Sequence, residues 1–241
     1  MSFGCWSRLR KRKNRNMNEL ALFAGAGGGI LGSHILGWRT ICAVEYNPYA
    51  ASVLAQRQND GLLPPFPIWD DIRTFDGCPF RGIADVVSGG FPCQAFSTAA
   101  RGRNTAEDLW PEMRRVVADV APRFVWAENV SEEAIDAACD DLETMGYETR
   151  AISLGAEDLG GDHIRKRHWV LAYADDKSQL LGGLNAEVAV RSFVRHSVWQ
   201  TSPYQPGMAD GVASRMDRYT AAGNGQVPIV VAAALTALCA A

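Results

Sequence analysis

The chain has 241 residues, 47% hydrophobic and 21% charged, with a net charge of −3. That is ordinary globular composition, enough for one sizeable core and a small appendage, and it excludes a polycation as a whole. No apolar run is long and charge-free enough to span a membrane, and the N-terminus lacks the apolar stretch of a secretion signal, so a cytoplasmic protein is expected.

Residues 1–16 are set apart by charge. Arg8-Leu9-Arg10-Lys11-Arg12-Lys13-Asn14-Arg15 is a basic run ahead of the first apolar strand. It reads as a solvated, disordered tail, with a contact to phosphate backbone or a localisation signal as the alternative. Met17 makes a natural start for the folded part. Leu20–Phe23 reads as a strand ending in the turn Gly25-Ala26-Gly27-Gly28-Gly29, and Ile30–Leu36 as a helix. Arg39–Val44 is a second strand, ending at Glu45. Pro48–Gln58 reads as a helix with proline near its start. Ile68 and the Asp70-Asp71 pair mark a third strand end. Ala84–Ser88 is a fourth strand, running into Gly89-Gly90. Trp110–Val120 has helical period, and Arg123–Ala127 is a fifth strand ending at Glu128-Asn129. Ser131–Met145 is helical, with Ser131 as cap and Gly146 as stop. Glu148–Ser153 and His168–Tyr173 are further strands. From Asp175 to about Tyr204 glycine, serine and proline break the pattern, which reads as a small insertion. An alanine-rich helix follows from Ile229 to Leu238.

Strands alternating with helices predict an α/β fold with a doubly wound, mostly parallel sheet and a small, reduced second subdomain. Ligands bind such sheets beyond the carboxyl ends of the strands, where most of the polar and glycine-rich residues fall. The glycine turn lets a ligand approach backbone and a helix N-terminus. It fails the strict dinucleotide pattern G-x-G-x-x-G, because Ile30 stands at the sixth position. A nicotinamide oxidoreductase is thereby disfavoured. Glu45, about twenty residues on, suits the hydroxyls of a ribose. Asp71 suits an adenine amino group. Together they indicate an adenosine-containing ligand; the alternative is two solvated loop acids.

Cys93 follows Gly89-Gly90-Phe91-Pro92 on a tight loop between strand and helix, a setting that favours a reactive thiolate. The other five cysteines form no CxxC pair, and the four histidines complete no ligand cluster, so reduced thiols and no metal are expected. Glu128, at the fifth strand end, suits a base whose ring must be protonated while it is attacked, or else caps the helix beginning near Ser131. Arg165 and Arg167 alternate and so project the same way from an extended segment. They suit a phosphate or carboxylate, or else blunt an exposed edge strand.

Taken together, these segments resemble the cytosine-5 DNA methyltransferase family, in the style of phage and prophage members. Leu22-Phe23-Ala24-Gly25-Ala26-Gly27-Gly28 is similar to the family's first cofactor motif. Glu45 and Asp71-Ile72 match its ribose and adenine positions. Gly90-Phe91-Pro92-Cys93-Gln94 matches the catalytic motif, and Glu128-Asn129-Val130 the family's Glu-Asn-Val. Arg165-Lys166-Arg167 matches the arginine pair that contacts the flipped nucleotide, and Gly223-Asn224-Gly225-Gln226-Val227 the late motif that returns to the cofactor pocket. Ala95 departs from the usual proline, and Asp162-His163 from the common proline and glutamine. The largest departure is between Asp176 and Gly207, where members carry a much longer target-recognition domain.

The resemblance implies S-adenosylmethionine-dependent methylation of carbon 5 of a flipped cytosine in duplex DNA, in a bacterial or phage-infected cell. It implies Cys93, Glu128, Arg165 and Arg167 as catalytic residues. Phe23, Gly25, Gly27, Gly28, Glu45, Tyr46, Asp71, Ile72, Gly90, Pro92, Leu109 and Asn224 are implied as cofactor-binding. Residues 17–175 would form the catalytic domain, 176–210 a reduced recognition region, and 211–241 a segment returning to the catalytic domain. A protein partner supplying target recognition, an RNA substrate, and a non-catalytic binding module are the alternatives left open.

Overall fold

The computed structural model describes residues 17–92, 107–161, 165–174 and 225–240. Within them the strands are β1 (Asn18–Leu22), β2 (Arg39–Val44), β3 (Ile68–Trp69), β4 (Val86–Gly90), β5 (Phe124–Asn129), β6 (Glu148–Leu154) and β7 (Arg167–Tyr173). The helices are α1 (Gly28–Ile35), α2 (Pro48–Asn59), α3 (Trp110–Val120), α4 (Glu132–Thr144) and α5 (Pro228–Ala240). Local chemistry sets where they begin. Asn47 caps α2 through Oδ1, accepting from the backbone of Tyr49 and Ala50, with Pro48 in the first turn. Ser131 caps α4 by accepting from Ala134 N–H at 3.2 Å, and Gly146 follows it at φ 92°.

The strands form one sheet in the order β3-β2-β1-β4-β5-β7-β6. From β3 to β5 every pairing is parallel. β7 runs antiparallel to both β5 and β6. The chain therefore crosses from one half of the sheet to the other between β1 and β4, and a crevice opens beyond their carboxyl ends. The reversal of β7 has a further effect. Its first residues, not its last, lie at that crevice, with Glu128 opposite Trp169 and Asn129 opposite His168.

Helices cover both faces, so the central strands are apolar on both sides rather than alternating. On one face Leu20, Leu22, Val87 and Val125 pack against Met113, Val116 and Val120 of α3 and Ile135 and Leu142 of α4. On the other, Val86, Phe124, Trp126 and Trp169 pack against Val231, Leu235 and Leu238 of α5. The rings of Trp126 and Trp169 stack there at 5.1 Å. Ala21, Ile30, Ala43 and Leu54 fill the space beneath α1 and α2. Burial of this kind contributes about 25 cal/mol per Å² of apolar surface. Among the described residues no helix is long and apolar enough to cross a membrane.

Candidate active site

Beyond the carboxyl ends of β4 and β5, Glu128 is buried at the end of a strand whose other side chains are core. Its Oε1 accepts from Arg167 Nε at 2.9 Å, and its Oε2 from Gln226 Nε2 at 3.0 Å. Burial pushes its carboxyl above the ordinary range, while the Gln226 hydrogen bond and the charges of Arg167 and Arg165 oppose the rise. Arg165 donates to the carbonyl of Gly225, which ties the late segment to the stretch entering β7. Both arginines therefore meet at Glu128 and its surroundings. Because β7 is interior, with β6 outside it, the alternative of a basic edge strand does not apply.

The chain that continues to Cys93 leaves the described residues from a pinned stem. Asn129 Nδ2 donates to Phe91 O at 2.8 Å, and Leu109 N–H donates to Pro92 O at 3.1 Å. The Phe91 and Trp110 rings pack at 5.0 Å. These contacts bring Phe91-Pro92 and Leu109-Trp110 together next to Asn129. Cys93 and Asn224 themselves lie outside the described residues, as do residues 1–16 and 176–210.

The glycine turn divides into parts with different reasons. Gly25, at φ 54°, has open space where a side chain would stand. Its N–H donates to Glu45 Oε2 at 2.6 Å, while Glu45 Oε1 accepts from Asn47 N–H at 2.7 Å. Gly27 caps α1 against Leu54 of α2. Gly28 lies under the backbone of Gln226, whose carbonyl oxygen fills the place of a Cβ. The open approach expected for the whole turn is thus narrowed to Gly25; packing against α2 and the late segment accounts for Gly27 and Gly28. Phe23 adopts φ 51°, an uncommon value for a non-glycine residue, and lies next to Gly89.

At the β2 and β3 ends, Tyr46 is 69% exposed and stands beneath the Arg73 guanidinium at 5.4 Å. Burial raises the Glu45 carboxyl, against the two backbone N–H bonds that favour its charge. Asp71 is held by Arg73, whose Nε lies 2.9 Å from Oδ1, and that partner lowers its pKa. The Asp71 carboxylate is therefore not a free loop acid. Ile72 is a core residue, buried with Phe75. An exposed aromatic ring beside a carboxylate with fixed oxygens, next to an open backbone turn, fits an adenosine group.

Three residues escaped the sequence reading. Asn129 and Gln226 stood inside recognised motifs without a role of their own. Glu19 is a carboxylate within an apolar central strand, and that mismatch was its signal. It accepts from Ser33, Ser88 and Thr40 hydroxyls at 2.6, 2.6 and 2.8 Å. It also lines a narrow cavity of about 30 Å³ together with Trp126, Glu128 and Gln226.

The sequence matches the C-5 cytosine-specific DNA methylase family over residues 17–203. The chain belongs to that family. It is 33% identical over 147 residues to the Type II methyltransferase M.Eco47II of Escherichia coli, covering 58% of this chain and 33% of that protein. It is 31% identical over 158 residues to M.NgoMIV of Neisseria gonorrhoeae, covering 62% and 49%. Among solved structures it resembles a protein described as a DNA modification methyltransferase encoded within an E. coli prophage. That match has a TM-score of 0.51 and 24% identity, and covers 66% of this chain and 47% of the other. At that identity the likeness carries the fold, the Rossmann-like sheet of the family. The matched stretches span a third to a half of the two curated relatives' length.

Proposed function

We propose that this chain transfers a methyl group from S-adenosylmethionine to carbon 5 of a cytosine flipped out of duplex DNA. The observation that carries the reading is Glu128, buried and held by Arg167 beside the pinned stem that leads to Cys93. Gly25, Glu45, Tyr46 and Asp71 would hold the adenosine part of the cofactor, with Phe23, Gly90, Pro92 and Leu109 bordering the path to the reacting ring. The cofactor supplies an electrophilic methyl group. Residues 17–175 form the catalytic unit, 176–210 a reduced recognition region and 211–241 the returning segment. A protein partner supplying recognition would compensate for that short region.

The chemistry follows from the residue types. The Cys93 thiolate forms a bond to carbon 6 of the ring. Glu128, whose burial favours its protonated form, donates its proton to N3; the C5=C6 electrons shift into a C4=C5 bond, and the pair leaving C4=N3 settles on a protonated rather than a bare ring nitrogen. Carbon 5 becomes an enamine nucleophile and would take the methyl group, with the electron pair of the broken sulfur–methyl bond remaining on the sulfur of the departing cofactor. Loss of the carbon 5 proton to a base then expels the thiolate, and N3 returns its proton to Glu128. Arg167 orients the carboxyl group, and Arg165 anchors the segment that closes over it.

The decisive experiment is Cys93→Ser. Transfer of tritiated methyl to duplex DNA and trapping by 5-fluorocytosine DNA should both vanish in this variant; full activity in it would sink the proposal. Bisulfite sequencing of DNA from expressing cells gives the target context. Transfer to RNA alone, or cofactor binding without transfer to any nucleic acid, would point to the two remaining alternatives.

A further inference from the structure

Gln226 stands just ahead of α5, and its side chain reaches from α1 to β5. Nε2 donates to Glu128 Oε2 at 3.0 Å. Oε1 lies against Gly29, in space that a Cβ there would need. On the other side, a Cβ at Gly90 would stand 2.6 Å from Glu128 Oε2 and 2.9 Å from Gln226 Nε2. The backbone beneath is fixed as well. The Gln226 carbonyl sits over Gly28, and Arg165 grips the carbonyl of Gly225. Glycines at 28, 29 and 90 thus clear the room in which one amide meets one carboxyl group.

Arg167 holds the other carboxyl oxygen, and a guanidinium can only donate. It suits the carboxylate and cannot accept from a carboxyl O–H. A primary amide carries both a donor and an acceptor on one carbon, exchanged by turning the terminal torsion. Facing a carboxylate it donates; facing a carboxyl O–H it accepts. Among the described residues, the charged groups facing Glu128 are Arg167 and Arg165 from the β7 side, with Glu19 of β1 across the shared cavity. α1 and α5 contribute none to that set.

We propose that Gln226 is a positioning residue that holds the Glu128 carboxyl group in one orientation through both of its protonation states. The proposal rests on the reading of Glu128 as the acid that protonates ring N3. During a turnover Glu128 loses and regains one proton. Gln226 donates while the oxygen is bare and accepts once it carries hydrogen, so the facing Glu128 oxygen is paired in either state. Whenever Glu128 is a carboxylate, the Gln226 hydrogen bond favours that charged form, against burial.

The test uses Gln226→Leu and Gln226→Met, the second keeping the unbranched stem in case the first does not fold. Carbon-13 NMR of carboxyl-labelled protein, with the Glu128 signal assigned by its loss in Glu128→Gln, follows the titration directly. The bond donated to the bare carboxylate is charge-assisted and the stronger of the two, so the Glu128 midpoint should move upward in the variants by more than the scatter of repeat titrations. In single-turnover methylation of duplex DNA, the rate constant should fall roughly tenfold or more, while the concentration dependence on S-adenosylmethionine stays within about twofold, because the adenosine site lies at β2 and β3. A purely packing role would leave the midpoint in place. An unmoved midpoint in a folded variant, or an unchanged rate constant against an active wild type, overturns the proposal. Wild-type protein that transfers no methyl group overturns the proposed function instead, and the titration still decides the role of Gln226.

Discussion

Glu19 is a carboxylate where a central strand should be apolar on both faces. Three hydroxyls from α1, β2 and β4 converge on it, so the charge-bearing group is satisfied although it is fully buried. Burial raises its pKa above 4.5, and the three hydroxyls oppose the rise. Between the unfolded pKa and the raised folded one, the folded state therefore holds a proton that the unfolded chain has released. Stability from this proton is complete below the unfolded pKa and is lost as pH rises through the folded one. Glu19→Gln cannot titrate, and its amide can still accept from the two serines and donate to Thr40. Its urea midpoint relative to wild type should therefore climb as pH is raised. A constant difference across pH would contradict the assigned shift. Glu19→Leu removes the acceptor from three buried hydroxyls and should cost on the order of 1–3 kcal/mol for each group left unpaired. Asn129 shows the same logic in a motif: its amide spends one side on Phe91 O and the other on Ser131 N–H, fixing the strand end against the stem that leads toward Cys93.

Among the elements, α1 and α5 matter most to the site, because the segment ahead of α5 lies directly on the first turn of α1. A methyl group at position 28 would fall on the Gln226 carbonyl, backbone against backbone, with no side-chain rotation to relieve it. Gly28→Ala should cost about 1–3 kcal/mol or more by overpacking, read as a lower urea midpoint, and should displace Gln226 from Glu128. Gly25→Ala supplies the contrast. Space there is open, so only the left-handed backbone is penalised, by about 1–2 kcal/mol. Equal losses at the two positions would remove the packing argument. Element boundaries were largely legible in the sequence: β2 and α3 coincide with the expected spans, and Ser131 caps α4 as anticipated. The direction of β7 was not, since hydrophobic pattern is the same for a strand read either way.

For the molecule as a whole, net charge does not favour DNA, so any attraction to phosphate must be local. Among the described residues packing begins at Met17, which is buried and whose carbonyl accepts from Arg39 N–H at 2.8 Å. A chain starting at Met17 should keep the unfolding free energy of the full chain, read from urea titration, within about 0.5 kcal/mol. The same truncation distinguishes the two readings of the basic run. If those residues touch phosphate, the dependence of duplex binding on salt becomes shallower by about 0.9 for each phosphate no longer neutralised; a solvated tail leaves the slope unaltered.

The sequence by itself determined the fold class, the membership of the methylase family and the residues at the strand ends, because strand–helix alternation and short motifs are local properties of the chain. Tertiary structure alone decided which of those residues meet. Glu128, Arg167 and Gln226 are separated by dozens of residues, and they converge because β7 enters antiparallel beside β5 and because glycines at 28, 29 and 90 let the late segment settle onto the crevice. Pairing direction and close backbone approach depend on which surfaces pack together, and no local pattern encodes that. The glycine turn shows the difference most plainly: its residues are adjacent in the chain, yet Gly25 faces open space while Gly28 faces Gln226.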